Sequence, residues 1–88
     1  METFALRTTR RAEFVDISGQ VESALARQGM KAGVATVFVP HTTAGITINE
    51  NADPSVVSDM LRWLDQKVPW DADYSHGEGN SAAHIKAS

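Results

Sequence analysis

The chain has 88 residues, a formal net charge of −3 and 22% charged residues. This length predicts one small domain, which hides only about 60–65% of the surface of its unfolded chain. The absence of cysteine excludes disulfides and thiolate metal sites, and the acidic balance argues against nucleic-acid binding. Residues 1–12 lack the apolar run of a signal peptide, and no segment has the length of a membrane span. We therefore expect a cytoplasmic protein with neither a nucleic-acid nor a membrane partner.

Four segments have the composition of β-strands. Apolar and β-branched residues alternate with polar ones in parts of three of them, whereas residues 33–39 are apolar on both faces, as in a central strand. Pro40 marks the end of that segment because proline cannot donate to a strand ladder. The predicted strands are residues 3–8, 12–17, 33–39 and 44–48.

Three helices are predicted between and after these strands. Ser18 is suited to cap the first helix, and Gly29 is suited to end it. Asp53 and Pro54 begin the second helix, which Pro69 terminates. The apolar stripe of the second helix consists of Val56, Val57, Met60, Leu61, Leu64 and Val68. The order of elements favours an α+β fold, a two-layer α/β sandwich with one mixed sheet covered by two main helices.

Three histidines are the first candidates for a chemical site. His41 follows the apolar segment, and His76 and His84 flank a loop near the C-terminus. Neutral imidazoles suit zinc or a similar ion. Seven residues separate His76 from His84, so the pair would meet across a loop-to-helix corner and not on one helix face. The alternative is that each imidazole satisfies a local hydrogen bond.

The loop after His76 also has features of an anion site. Gly79 precedes the third predicted helix, which starts with Asn80 or Ser81 as its cap and runs through Lys86. Glycines let a backbone approach a ligand closely, and free N–H groups at a helix start attract phosphate. Lys86 would add a positive charge. An ordinary flexible loop with a helix cap explains the same residues.

Two carboxylates and two hydroxyls complete the candidate set. Glu78 lies between the last two histidines and is placed to act as a ligand, as a general base or as a group that orients an imidazole. Glu50 could likewise orient an imidazole, or it could only solvate a loop. Thr42 and Thr43, directly after His41, could donate hydroxyls to an anion, although threonine is common at strand ends.

Two longer stretches resemble the YjbQ-like family, also called the secondary thiamine-phosphate synthase family. They are residues 41–54, HTTAGITINENADP, and residues 76–88, HGEGNSAAHIKAS. The resemblance implies a single YjbQ-like domain over residues 1–88 that assembles as a homotrimer. Members of the family continue past the position of Ser88 into further strands. We therefore expect the domain to be incomplete at its C-terminus, with its C-terminal strands missing.

The resemblance also implies a function and a set of site residues. The main hypothesis is a small metabolic transferase similar to secondary thiamine-phosphate synthase, with a histidine-lined pocket for a metal and a phosphorylated metabolite. The metal is expected to be divalent, zinc for imidazole ligands or magnesium if diphosphate chemistry is real. The alternatives are a non-catalytic trimeric protein that binds a metal or a phosphometabolite, and a metal-dependent hydrolase of a small phosphorylated substrate. The predicted metal ligands are His41, His76 and His84; the catalytic residues are Glu78 and Glu50; the phosphate-binding residues are Thr42, Thr43, Gly79, Asn80, Ser81 and Lys86.

Overall fold

The computed structural model describes all residues, Met1 to Ser88. The chain forms two compact units, Met1–Val37 and Phe38–Ser88. Three helices are present: α1 (Ser18–Arg27) in the first unit, and α2 (Pro54–Lys67) and α3 (Ser81–Ala87) in the second. No helix is both long enough and apolar enough to cross a membrane.

Helix α1 agrees with the sequence prediction at its end but not at its start. The predicted cap at Ser18 is wrong, because Ile17 occupies the cap position without a side-chain capping bond. Ser18 is the first helical residue, and its N–H donates to Asp16 Oδ1 at 2.9 Å. The helix ends before Gly29, whose φ of 66° lies in the left-handed region that favours glycine. The Gly29 stop is thus confirmed. The Arg27 guanidinium at the last turn pairs with the Glu2 carboxylate at 2.7 Å.

Helix α2 is determined at both ends by its own sequence. The Asp53 carboxylate accepts from the Ser55 hydroxyl at 2.7 Å and from the Ser55 N–H at 2.9 Å, and Pro54 occupies the first turn. These two bonds, the hydroxyl one first, lower the pKa of Asp53. The helix ends at Lys67, since Val68 before Pro69 has non-helical angles. The predicted apolar stripe is half-buried along its length.

Helix α3 is short and depends on its surroundings. Asn80 stands at its cap position but makes no side-chain capping bond. Ala82, at 1% exposure, is the one fully buried hydrophobic residue of the chain. The predicted start at Asn80 or Ser81 is confirmed, and the helix extends one residue past the predicted end, to Ala87.

The predicted α+β sandwich is wrong for this chain. Residues 3–8, 12–17, 33–39 and 44–48 form no strand, so no mixed sheet exists for the helices to cover. A strand requires a neighbour that completes its backbone ladder, and these segments have none within hydrogen-bonding distance. Their apolar side chains remain open to solvent, with Val34 at 87%, Phe38 at 79% and Ile48 at 101% exposure. The alternation of residues describes how side chains would be divided between faces, but it does not supply a partner for the backbone.

Candidate functional site

Two of the three histidines lie together in the second unit. His76 begins a tight turn that the Gly79 N–H closes by donating to the His76 carbonyl at 3.1 Å. Gly79 has a φ of 75°, a conformation that glycine adopts without strain. His84 lies on α3, and the two ring centroids are 5.5 Å apart with the planes at 82°. The turn and the helix thus form the predicted loop-to-helix corner.

His84 is oriented by the backbone of a segment distant in sequence. Its Nδ1 lies 3.2 Å from the carbonyl oxygen of Thr42. Because a carbonyl oxygen only accepts, this hydrogen bond requires the imidazole proton on Nδ1. In the neutral ring, the opposite nitrogen, Nε2, then carries a free lone pair. Imidazoles that ligate metals are commonly held in this way, with the second nitrogen donating to a backbone carbonyl.

His41 is not part of this pair. It is exposed, and its neighbour Thr42 contacts His84 through the backbone carbonyl and not through the hydroxyl. No group of three or more His, Asp or Glu residues is arranged to hold a metal ion. The Thr42 contact nevertheless brings the segment that contains His41 to α3.

The geometry of the pair can be compared with that of a zinc site. Two imidazoles that ligate one tetrahedral zinc, at Zn–N distances of about 2.1 Å, have ring centroids about 5 Å apart. The His76 and His84 rings, at 5.5 Å, are close to that separation. The free Nε2 of His84 is in the form that a metal requires. The separation of the two ring centroids is thus close to that of two imidazoles on one tetrahedral ion.

The two predicted catalytic carboxylates lie in different surroundings. Glu78 is 76% exposed, with Oε2 at 3.9 Å from His76 Nε2, so it adjoins the imidazole pair. The Glu50 carboxylate instead accepts from the Ala52 N–H at 2.8 Å and the Asp53 N–H at 3.4 Å. Glu50 thus shapes the loop that leads into α2.

The predicted phosphate-binding lysine is engaged within the protein. The Lys86 side chain is 9% exposed, and its ammonium lies 3.7 Å from the centroid of the Trp70 ring. Asp65 of α2 is 3.9 Å from the same nitrogen. An ammonium over an indole face is stabilised by the ring quadrupole. Lys86 therefore anchors α3 to the loop after α2.

Asn80 has an unsatisfied acceptor. Its Oδ1 is shielded from solvent and has no hydrogen-bond partner. Such an atom needs a donor or a cation, whereas a phosphate oxygen offers neither unless it is protonated. Ser81, the first residue of α3, is half-buried, and Thr43 is exposed.

Sequence reasoning misses two residues that hold this region together. The position of Trp70 near the end of α2 indicates packing, but it does not predict the pairing with Lys86. Gly45 falls within a predicted strand, yet it lies against the backbone of Ala87. A glycine inside an apolar alternation does signal a close backbone approach, so that signal is present in the chain.

Two surface concavities are lined by residues other than the histidines. One lies along α2 beside Met60 and Trp63, and the other is beside Met30 in the first unit. His76 is exposed and His84 is half-buried, so the imidazole pair lies at the surface of the second unit.

Comparison with known proteins identifies the class. The model of the family described as UPF0047 protein YjbQ-like matches residues 2–88. The chain belongs to this family. The predicted resemblance is confirmed.

Individual relatives agree with the family match. UPF0047 protein YugU of Bacillus subtilis is 51% identical over 89 residues, which cover 100% of this chain and 67% of that protein. A UPF0047 protein of Methanocaldococcus jannaschii is 49% identical over 85 residues, covering 97% of this chain and 62% of its own. The chain thus spans about two thirds of the length of these relatives.

A solved structure follows the same path. The crystal structure of an uncharacterized conserved protein of the YjbQ/UPF0047 family from Clostridium acetobutylicum is 55% identical and superposes with a TM-score of 0.89. The match covers 93% of this chain and 64% of that one. The backbone of the present chain therefore follows a family member closely, although it contains no strand of its own.

Proposed function

We propose that this chain contributes the imidazole pair of a divalent-metal site to a small metabolic enzyme resembling secondary thiamine-phosphate synthase. The observation that carries the proposal is the orientation of His84. Its Nδ1 proton is committed to the Thr42 carbonyl, which leaves Nε2 of the neutral ring free, and the centroid of the His76 ring lies 5.5 Å from that of His84. Imidazole ligands favour zinc over magnesium, which prefers oxygen ligands.

His41 is proposed as the third ligand. It directly precedes Thr42, whose carbonyl contacts His84, so a change in the His41 side chain and its local backbone would bring a third imidazole toward the pair. The remaining position of a tetrahedral site would be open to a substrate, as in catalytic zinc centres.

The proposed reaction joins a pyrimidine methyl diphosphate to a thiazole phosphate. A carbon–nitrogen bond forms at the pyrimidine methylene, the carbon–oxygen bond to the diphosphate breaks, and pyrophosphate leaves. A bound divalent metal would supply charge stabilisation for the leaving group. Thr42, Thr43 and Ser81 are proposed to donate to phosphate oxygens, and Gly79, whose N–H already bonds the His76 carbonyl, is proposed to let a phosphate approach the backbone closely. Glu78, beside His76, is proposed to exchange a proton with the leaving pyrophosphate.

Self-association is part of the same proposal. Apolar side chains such as Phe38 and Ile48 are open to solvent, and exposure of this kind favours burial against further polypeptide. A homotrimer of the family domain would provide such burial.

A second candidate is a non-catalytic protein that binds a metal or a phosphometabolite. The non-catalytic candidate is favoured because contacts within the protein already occupy two of the predicted functional residues. Lys86 is committed to Trp70 and Asp65, and Glu50 to its own loop, so neither is free to take part in catalysis.

One set of variants separates the two candidates. Zinc affinity is measured by competition with a chromophoric chelator, and activity is measured by growth of a thiamine-requiring strain that expresses the chain. We expect His76→Ala and His84→Ala to weaken zinc binding by at least about 100-fold, more than the loss of an outer-sphere partner causes. Glu78→Ala should keep the zinc affinity and abolish growth, and Glu22→Ala on α1 should change neither.

Other outcomes would revise the proposal. An unmodified chain that binds zinc but never supports growth would favour the non-catalytic candidate. An unmodified chain that binds no zinc, or binds it equally well without His84, would overturn the metal site itself.

A further inference from the structure

A second contact joins α3 to the segment that contains Thr42. A Cβ atom placed on Gly45 would lie 2.5 Å from the carbonyl oxygen of Ala87 and 3.5 Å from its carbonyl carbon. Cβ atoms in proteins essentially never come within 3.0 Å of a heavy atom outside their own residue and its chain neighbours. Because the obstacle is backbone, no side-chain rotation would relieve the overlap. The last turn of α3 therefore lies so close to the backbone at position 45 that only glycine fits there.

The role of Gly45 is steric and not conformational. Its φ lies outside the left-handed region, unlike those of Gly29 and Gly79. Alanine at this position would therefore meet no intrinsic backbone strain. The effect of a substitution would arise from the collision with Ala87.

The two contacts join the same two segments. His84 and Ala87 are three residues apart on α3, and their partners Thr42 and Gly45 are also three apart. The imidazole bond is at the limit of a good hydrogen bond, with 3.2 Å between Nδ1 and the carbonyl oxygen. A displacement of α3 by the width of a methyl group would break it.

From this arrangement we infer that Gly45 is a positioning residue for the His84 imidazole. By allowing α3 to approach, it keeps Nδ1 bonded to Thr42 and so selects the neutral tautomer whose Nε2 lone pair is free for a ligand. The inference rests on the proposed metal site for its functional consequence, but its structural content is independent of any metal. A larger residue at position 45 would release the imidazole from its single tautomer.

The test compares Gly45→Ala with Gly19→Ala in the full chain. Gly19 lies in α1, and a methyl carbon added there would have nothing within 4 Å, so it is a matched change without a collision. The tautomer of each histidine is read from the ¹⁵N chemical shifts of its ring nitrogens. In the unmodified chain and in Gly19→Ala, His84 should carry its proton on Nδ1. In Gly45→Ala, the neutral His84 ring should become a mixture of its two tautomers. The form with the proton on Nε2, which free imidazole favours, should predominate.

Zinc affinity provides the second readout. Gly45→Ala should weaken binding by about 10–100-fold, the usual effect of removing an outer-sphere partner of a ligating histidine, while Gly19→Ala leaves it unchanged. If the unmodified chain binds no zinc, the proposed metal site fails, and the tautomer comparison still decides the role of Gly45.

Two results would overturn the inference. One is an unmodified chain whose His84 carries its proton on Nε2, a measurement that needs no variant and so holds even if Gly45→Ala does not fold. The other is a folded Gly45→Ala protein in which His84 keeps the Nδ1 proton.

Discussion

Helices α2 and α3 belong to the same unit but are stabilised in different ways. Helix α2 has 14 residues and begins with a satisfied cap, in which Asp53 accepts two hydrogen bonds from Ser55. Helix α3 has 7 residues, fewer than the roughly 12–15 that an isolated helix needs, and its cap residue Asn80 makes no capping bond.

The difference lies in the source of the stabilising contacts. Helix α3 is held by the buried Ala82, by the bond from His84 to Thr42 and by Lys86 over Trp70. His84 and Lys86, two candidate site residues on α3, are therefore placed by contacts with residues distant in sequence. Local signals specify α2, whereas α3 forms only where the rest of its unit is in place.

The largest effect is expected at Ala82. Ala82→Leu would force a larger side chain into the one fully buried position, at a cost of about 1–3 kcal/mol. The α3 amides should then exchange with solvent roughly tenfold faster or more, while the α2 amides change little. Hydrogen exchange followed residue by residue by NMR measures both helices in one experiment.

Ala26→Leu provides the matched control for this prediction. Ala26 is exposed on α1, so the same change in volume meets no packed neighbours. Equal exchange of the α3 amides in the two variants would show that burial of Ala82 does not hold the helix.

A smaller effect is expected at Lys86. Lys86→Met keeps the aliphatic stem and removes the ammonium over Trp70, at a cost of about 1 kcal/mol for a partly desolvated cation–π contact. The fluorescence of Trp70, isolated in a Trp63→Phe background, should shift and report a lower unfolding midpoint. Lys31→Met removes an exposed charge from the first unit. This control should leave both the Trp70 fluorescence and the unfolding midpoint unchanged.

This prediction also bears on the phosphate hypothesis for Lys86. A variant with unaltered Trp70 fluorescence and stability, but weaker binding of inorganic phosphate, would show that the lysine serves a ligand and not α3.

The smallest effects are expected at the two helix caps. Asp53→Ala should reduce the helical content of α2 and lower its thermal midpoint, because two Ser55 donors lose their acceptor. Asn80→Ala should leave α3 almost unchanged in the ligand-free chain, since no capping bond is lost. Circular dichroism and amide exchange compare the two variants directly.

The Asp53 effect should depend on pH. The Ser55 bonds lower the pKa of the folded Asp53 carboxyl, so its contribution to stability is complete above the pKa of the unfolded chain, about 4. The contribution is lost as the pH falls through the lower pKa of the folded state. The difference in midpoint between the unmodified chain and Asp53→Ala should therefore shrink below about pH 4. A difference that is constant down to pH 2 would contradict the capping explanation.

Much of the helical structure can be read from the sequence. Both ends of α2 follow from a capping aspartate, a proline in the first turn and a proline just past the last, all of which act within a few residues. Gly29 ends α1 for an equally local reason. The strand prediction is wrong because a strand needs a partner, and alternation of residues carries no information about where that partner lies.

The candidate site shows the same division between local signals and long-range contacts. Residue types and the family motifs identify His76 and His84, and the loop glycine at position 79 makes their tight turn possible. Their proximity cannot be inferred from spacing, nor can the contact of His84 with Thr42, which joins positions 42 residues apart. Capping, proline and glycine effects are properties of neighbours in sequence and can be read from the chain directly. The tautomer of an imidazole and the approach of a helix to a glycine depend on distances that exist only after the chain has folded.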